Sequence, residues 1–437
     1  MHLPISMLLA FCFLLMASEV PLAADRDMEL PGNWTSSRVD WRRSLGIPLD
    51  TEFVAPLTAH YNWAYGNTLL GVNVRQFGTR EYYAAVASFS DERLDILDSE
   101  GPLPEAAVLK SGRYHITAGL ADGRILCWLT APGEYPERLQ LASRYQRGSG
   151  FDVIVEAPDP PSATWADWTI LICYQTSIGD NNVATEVFDG NGRLIYDLPG
   201  LKVEGRVRQL EYTRAPVPGA DLPWLLMSVD SGSVSTGAPY NAAVGTAWYV
   251  PGEQWYLQGL RRAGRDNTSL FLDDEAAGGA IAMMAWDDSN EYNTGGFVER
   301  LHMRSGNARQ IITDKGLPNL FNWHTTSVNW CFARSVASRY PYIIFSDGTD
   351  LIFGFNAARR GEEGDDVGYR TFPLMQGAKV SDDYGNEGPL YRLQGLAMST
   401  HWNTGQPQVF YIQNGSADYE GGQLFQMRYE RPGRSGE

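Results

Sequence analysis

Apolar residues recur along this chain in blocks of four to eight, rich in β-branched and aromatic side chains and bounded by Gly, Asp, Asn or Pro. Such blocks are strand signals, and no window holds a helical period of about 3.6 residues for long. The strongest are Tyr82–Ala87, Ile125–Leu129, Ile170–Tyr174, Leu225–Val229, Ile281–Trp286, Tyr342–Phe345 and Val409–Ile412. Turn residues fall between them. Glu186–Asp189 and Arg193–Asp197 flank Gly190-Asn191-Gly192, where Asn and Gly accept positive φ. Ser346-Asp347-Gly348-Thr349 separates Phe345 from Leu351 in the same way, and Gln413-Asn414-Gly415-Ser416 follows Ile412. The pattern predicts antiparallel meanders.

Taken at positions 84, 125, 170, 225, 281, 343 and 409, the blocks lie 41 to 66 residues apart and average about 54. Propeller repeats run roughly 40–50 residues before loop insertions. Each block also heads a similar series, as in Ile281–Trp286, Val298–Met303 and Gln310–Thr313. The predicted fold is all-β: a β-propeller of four-stranded antiparallel blades, with seven blades preferred to six. Such a ring buries each small sheet against its neighbours and protects strand edges by closing. The rival is a pair of β-sandwiches joined near Pro216-Val217-Pro218-Gly219. That stretch and Pro158-Asp159-Pro160-Pro161 both sit inside the strand cadence, however, and lack the length of a polar linker. The predicted organisation is a signal peptide over 1–24, a lead-in over 25–52 able to close the ring, a propeller over 53–430 and a tail over 431–437. The rhythm is similar at fold level to secreted lectin propellers, including fungal fucose-binding ones. Those repeat a sugar-gripping Arg, Glu and Trp set from blade to blade, and no such set repeats here.

Export is read from the first residues. Met7–Met16 is an apolar run of ten, too short to span a bilayer, and Ala23 and Ala24 precede the charged Asp25. This is the layout of a secretory signal cut after Ala24, although the leading segment carries His2 and no Lys or Arg. No later run reaches the length of a membrane span, so the mature chain is expected to be extracellular and soluble. Of the 4 Cys, Cys12 leaves with the signal, and Cys127, Cys173 and Cys331 sit in apolar runs. An odd number of such residues is not a disulfide framework, and buried free thiols are expected. Sequons stand at Asn33, Asn267 and Asn414, so a glycoprotein is compatible with an exporting host.

Charge narrows the partners. With 35 basic and 52 acidic residues the chain carries −17, which disfavours nucleic acid and anionic surfaces. Lys110, Lys202, Lys315 and Lys379 are the only lysines, so 31 of the basic residues are Arg. Base composition explains this bias most simply; a role in gripping carboxylates or stacking on rings is the alternative.

Three loops share a vocabulary: His60-Tyr61-Asn62-Trp63, Asn322-Trp323-His324 and His401-Trp402-Asn403. An aromatic plate beside amide and imidazole groups suits a sugar, whose C–H face stacks while its hydroxyls hydrogen-bond. The expected ligand is a neutral glycan or other small polar molecule at the loop-rich end of the channel. The residues assigned to it are His60, Trp63, Trp286, Tyr292, Asn322, Trp323, His324, His401, Trp402 and Asn403. Each such loop is, taken alone, better explained by aromatics packing over a blade seam.

Other chemistry has less support. No cofactor is predicted. Acidic loops at Gly179–Asn182, Asp230–Gly232, Asp287–Asn293 and Asp382–Glu387 offer hard oxygens for Ca²⁺, but none keeps the spacing of a dedicated calcium loop. Zinc pairs, a Gly-x-Ser-x-Gly elbow and a phosphate loop are missing from the sequence. The enzyme that could still be drawn is a polysaccharide lyase, with His324 or His401 as base, Tyr61 or Tyr292 as acid and Arg304 or Arg334 on a sugar carboxylate. A protein-interaction scaffold is the third class.

Overall fold

In a computed structural model the chain runs through a succession of short β-strands. The described residues fall between Trp34 and Tyr429, with side chains described mainly over 37–201 and 395–428 and chiefly strand backbone elsewhere. The signal region and the sequons at Asn33 and Asn267 lie outside them.

Two short strands lead in, β1 (Trp34–Arg38) and β2 (Asp40–Arg42). Blade 1 follows with β3 (Thr51–Asn62), β4 (Asn67–Gln76), β5 (Tyr82–Ser90) and β6 (Arg93–Leu103). Blade 2 holds β7 (Val108–Gly112), β8 (His115–Gly119), β9 (Ile125–Leu129) and β10 (Glu137–Leu141). Blade 3 holds β11 (Phe151–Glu156), β12 (Thr169–Gln175), β13 (Asn182–Asp189) and β14 (Leu194–Lys202). Blade 4 holds β15 (Arg206–Thr213), β16 (Trp224–Asp230), β17 (Ala242–Tyr249) and β18 (Trp255–Arg262). Blade 5 holds β19 (Ser269–Asp273), β20 (Ile281–Asp287), β21 (Gly296–His302) and β22 (Ala308–Ile312). Blade 6 holds β23 (Asn329–Arg334), β24 (Pro341–Ser346), β25 (Asp350–Asn356) and β26 (Val367–Pro373). A ribbon of β27 (Lys379–Ser381) and β28 (Glu387–Pro389) comes before blade 7, which holds β29 (Tyr391–Thr400), β30 (Pro407–Gly415) and β31 (Gln423–Tyr429).

Each blade is an antiparallel meander ordered by sequence. The first strands β3, β7, β11, β15, β19, β23 and β29 lie beside one another in turn, and β29 returns to lie beside β3. The chain is a β-propeller, and its strand order excludes the sandwich pair. Each of the seven apolar blocks falls in a different blade, always in a second or third strand. Central strands are paired on both edges and buried on both faces, so they read as unbroken apolar runs. The Gly190–Gly192 turn forms with Gly192 at φ 77°, and Asp189 Oδ1 accepts from Asn191 and Arg193 backbone N–H groups. The Gln413–Ser416 reading needs correcting, because β30 continues through Gly415 with Asn414 paired to Arg392. Backbone pairing with Tyr391–Leu393 carries the ladder past the turn-forming residues.

Burial is organised by seam. Leu57, Leu70, Phe89, Phe410 and Leu424 join blades 7 and 1, while Leu69, Val86, Leu109, Ile116 and Trp128 join blades 1 and 2. Phe151, Trp168, Ile170 and Tyr174 fill the next seam with Ile125 and Leu129, and Leu171, Val187, Val207 and Leu210 the one after. Each fully buried side chain of this size contributes about 1.5–3 kcal/mol. Several polar groups in the seams are bonded there. Buried Asn73 donates to the Pro56 and Ala107 carbonyls and accepts from Ala107 N–H, at 2.9–3.0 Å. Trp128 Nε1 donates to Asp98 Oδ2 of blade 1 at 2.7 Å. Cys127 and Cys173 are buried free thiols, each beside a cross-strand threonine, and burial pushes Cys127 up to about 12.

Candidate functional site

Strand order fixes which connections share an end of the ring. Every blade begins where the preceding one ends, so the first strands run in one direction. Call the end where they begin the start face. Connections from second to third strands, and from one blade to the next, leave from the start face; the others leave from the finish face. His60 is near the finish of β3, Trp63 follows β3, and His401, Trp402 and Asn403 follow β29, the neighbouring first strand. Trp286 is near the end of β20, Tyr292 lies between β20 and β21, and Asn322, Trp323 and His324 lie between β22 and β23. Of these, only His60 in β3 and the backbone of Trp286 in β20 belong to the described residues. Trp63, Tyr292, Asn322, Trp323, His324, His401, Trp402, Asn403 and Arg304 lie outside the described residues, as do the side chains of Trp286, Tyr61 and Arg334.

His60 faces the blade 1–2 seam. Both its ring nitrogens are shut off from solvent without a hydrogen-bond partner among the described residues. Burial, and then the charge of His115, lower its pKa to about 3. His115, in the second strand of blade 2, is held at about 3 by burial, with Nδ1 at 2.9 Å from Thr117 Oγ1. Nearby, Thr58 Oγ1 and Ser111 Oγ are hydrogen-bonded between blades at 2.5 Å. Lys110 of β7 lies 3.8 Å from Asp152 of β11 and donates to the Leu210 carbonyl of β15 at 3.3 Å. These groups knit the inner strands together.

An open pocket of about 290 Å³ lies where the ring closes, on the start face. It is lined by Arg38 at the end of β1, Val39 between β1 and β2, Trp41 of β2, Leu49–Phe53 at the start of β3, Phe77 and Gly422–Leu424. Several contacts build it. β1 pairs antiparallel with β31 from Trp34↔Tyr429 to Arg38↔Phe425, and β2 adds in parallel to β6. Val39 N–H donates to the Leu424 carbonyl and Phe53 N–H to the Gly422 carbonyl, each at 2.9 Å. Phe77 N–H donates to the Asp50 carbonyl at 2.7 Å, which pins the β4–β5 turn against the approach to β3. Trp41 stands edge-on to Phe53 with ring centroids 5.0 Å apart.

The electrostatics are divided. Glu52 is 8% exposed, and Arg75, its cross-strand neighbour, donates from Nε at 2.6 Å and from Nη2. Its other oxygen accepts from Gly422 N–H at 3.1 Å, so this carboxylate is committed to structure. Asp50 is exposed and Gln76 Nε2 is 3.4 Å from it. Arg38 is exposed at the rim, while Leu49 and Phe77 are 79% and 48% exposed. The pocket thus offers aromatic and aliphatic faces beside a guanidinium, a carboxylate and the Gln423 amide. None of these residues was selected by sequence reasoning. Glu52 and Gly422 are 370 positions apart, and only the sequence Asp40-Trp41-Arg42, an aromatic between opposite charges, gives a local hint.

No group of three or more His, Cys, Asp or Glu able to hold a metal occurs among the described residues, and most of the acidic loops lie outside them. No helix among the described residues is long and apolar enough to cross a membrane.

No known protein family matches the chain. No curated protein matches it either. Solved structures do. The Dos1 propeller is similar at 10% identity and TM-score 0.46, over 91% of this chain and 95% of that one. The WD40 domain of SCAP from fission yeast is similar at 9% identity and TM-score 0.43, over 91% and 87%. A mutant Aleuria aurantia lectin in complex with alpha-methyl-L-fucoside is similar at 14% identity and TM-score 0.40, over 75% and 99%. The ring is established by this chain's own strand pairing.

Proposed function

We propose that this chain is an exported β-propeller that binds a small polar ligand, a neutral glycan by class, and that the ring-closing pocket holds one sugar unit. The supporting observation is the meeting in one pocket of Trp41, Phe77 and Leu49 with Arg38, Asp50 and Gln423. Apolar walls with a few convergent polar groups are the ordinary composition of a small-ligand site, and about 300 Å³ is the lower end of the usual size. A sugar uses both parts, stacking its C–H face on a ring and bonding hydroxyls to a carboxylate and amide. The net charge of −17 argues for a neutral ligand over a polyanion.

The test is calorimetry on residues 25–437 against methyl glycosides of glucose, galactose, mannose and fucose, with Trp41→Ala and Asp50→Asn in parallel. At least one glycoside should bind in the micromolar to millimolar range, and Trp41→Ala should weaken it tenfold or more. Silence across the panel, or unchanged affinity in Trp41→Ala, would refute the assignment. Export is tested separately, by expressing the whole chain in a secreting host and sequencing the N-terminus recovered from the medium, expected at Asp25.

A further inference from the structure

The same residues wall the pocket and clasp the ring. Arg38, Val39 and Trp41 come from the lead-in strap, Glu52 and Phe53 from blade 1, and Gly422–Leu424 from blade 7. Blades 1 to 7 are joined in series by continuous chain, whereas the return from blade 7 to blade 1 depends on noncovalent pairing alone. That return is held by the buried seam of Leu57, Leu70, Phe89, Phe410 and Leu424 and, at the pocket, by the five-residue ladder of β1 on β31, the three-residue ladder of β2 on β6, and the bonds Val39–Leu424, Phe53–Gly422 and Gly422–Glu52. Short edge strands near a chain terminus open at lower free energy than a buried core. Unseating the strap removes Arg38, Val39 and Trp41 from the pocket, and parting the blades removes the Gly422–Leu424 wall.

We infer that occupation of this pocket and closure of the ring are one linked equilibrium: a ligand bound there locks the clasp, and release of the clasp releases the ligand. The inference rests on reading the pocket as a ligand site. A ligand at a hundred times its Kd that binds only the closed form raises the closed-to-open ratio about 100-fold, and the coupling is reciprocal. A pocket within any other seam would lack this property, since the chain itself spans those junctions.

Hydrogen exchange by mass spectrometry on the unaltered chain tests the coupling, using whichever methyl glycoside of the panel binds, at saturation. Peptides covering β1, β2 and β31 should exchange at least tenfold more slowly with glycoside, while β12 and β13 keep their rates. As a second arm, Ser37→Cys with Gln426→Cys places a disulfide between residues that face each other in the β1–β31 ladder. The oxidised protein should bind the glycoside more tightly than the same protein reduced. A glycoside that binds without slowing exchange at the clasp overturns the coupling and leaves the ligand site standing. A panel that does not bind at all removes both. Should the double variant fail to fold, the exchange measurement decides alone.

Discussion

Replacing Arg144 by alanine would strand a carboxylate. Glu186 on β13 is fully buried, and its Oε1 accepts from Arg144 Nε at 2.8 Å. The Arg144 backbone N–H also reaches Glu186, at 3.3 Å, and Ser143 Oγ donates to Oε2 at 2.7 Å. The guanidinium turns its other arm to Asp197, at 2.6 Å, and both carboxylates raise the Arg144 pKa. Asp197 is 51% exposed, so that half of the fork is worth roughly 1 kcal/mol at most. Breaking a buried pair from one side costs about 3–5 kcal/mol, because the charge left behind has no water. Arg144 itself is 63% exposed, so solvent can replace part of what it supplies, and a loss of about 2–3 kcal/mol is expected. Glu186→Gln removes the charge and keeps the shape, and in that background Arg144→Ala should cost about 1 kcal/mol or less. Urea unfolding followed by tryptophan fluorescence at pH 7.5, run on all four corners of the cycle, measures the coupling. Additive losses, or an Arg144→Ala variant within 0.5 kcal/mol of the parent, would refute the view that the cation holds Glu186 in the interior.

The buried imidazoles give a pH signature. His60 and His115 stay neutral in the fold down to about pH 3, whereas the unfolded chain takes up protons near 6.5. Stability should therefore be flat above pH 7 and fall as pH drops through 6.5, by about 2 kcal/mol per histidine at pH 5. Urea midpoints at pH 7.5, 6 and 5 test this, and a ring seen by NMR to titrate near 6.5 in the folded protein would contradict it. Gly71 packs against blade 2 so closely that a Cβ would lie 2.8 Å from both Ile116 Cγ2 and Thr58 Cγ2. Both neighbours are β-branched and stiff, so Gly71→Ala should cost about 1–3 kcal/mol and lower the melting temperature; an unchanged melt would show that the seam yields freely.

The arginine bias shows how composition turns into structure. Arg124 bonds to Glu100 and Asp122, Arg138 contacts Glu100 and Asp98, and Arg144 joins Glu186 to Asp197. A planar fork can hold two carboxylates at once, which an ammonium does less well. All but Arg124–Asp122, which stays within the β8–β9 turn, cross the seams between blades 1 and 2 and between blades 2 and 3. The excess of Arg was visible in the sequence. Its use was not, because apart from Asp122 the acceptors sit 24 to 53 positions away on another blade.

Local order along the chain was enough to determine the all-β class, the blade rhythm and the meander within each blade. A strand buried on both faces writes itself as an apolar run, and a turn writes itself in Gly and Asn. Two things depended on the closed ring. The shared Trp, His and Asn vocabulary of three loops says nothing of direction, and of its residues only His60 has a described side chain, turned into the seam between blades 1 and 2. The pocket is made of a three-residue strand, the approach to β3 and a glycine near the end of the chain, each unremarkable where it stands. Hydrophobic periodicity reports only which side of its own element a residue faces. Which distant element meets that side is decided by closure, and closure brought Trp41, Glu52 and Gly422 together.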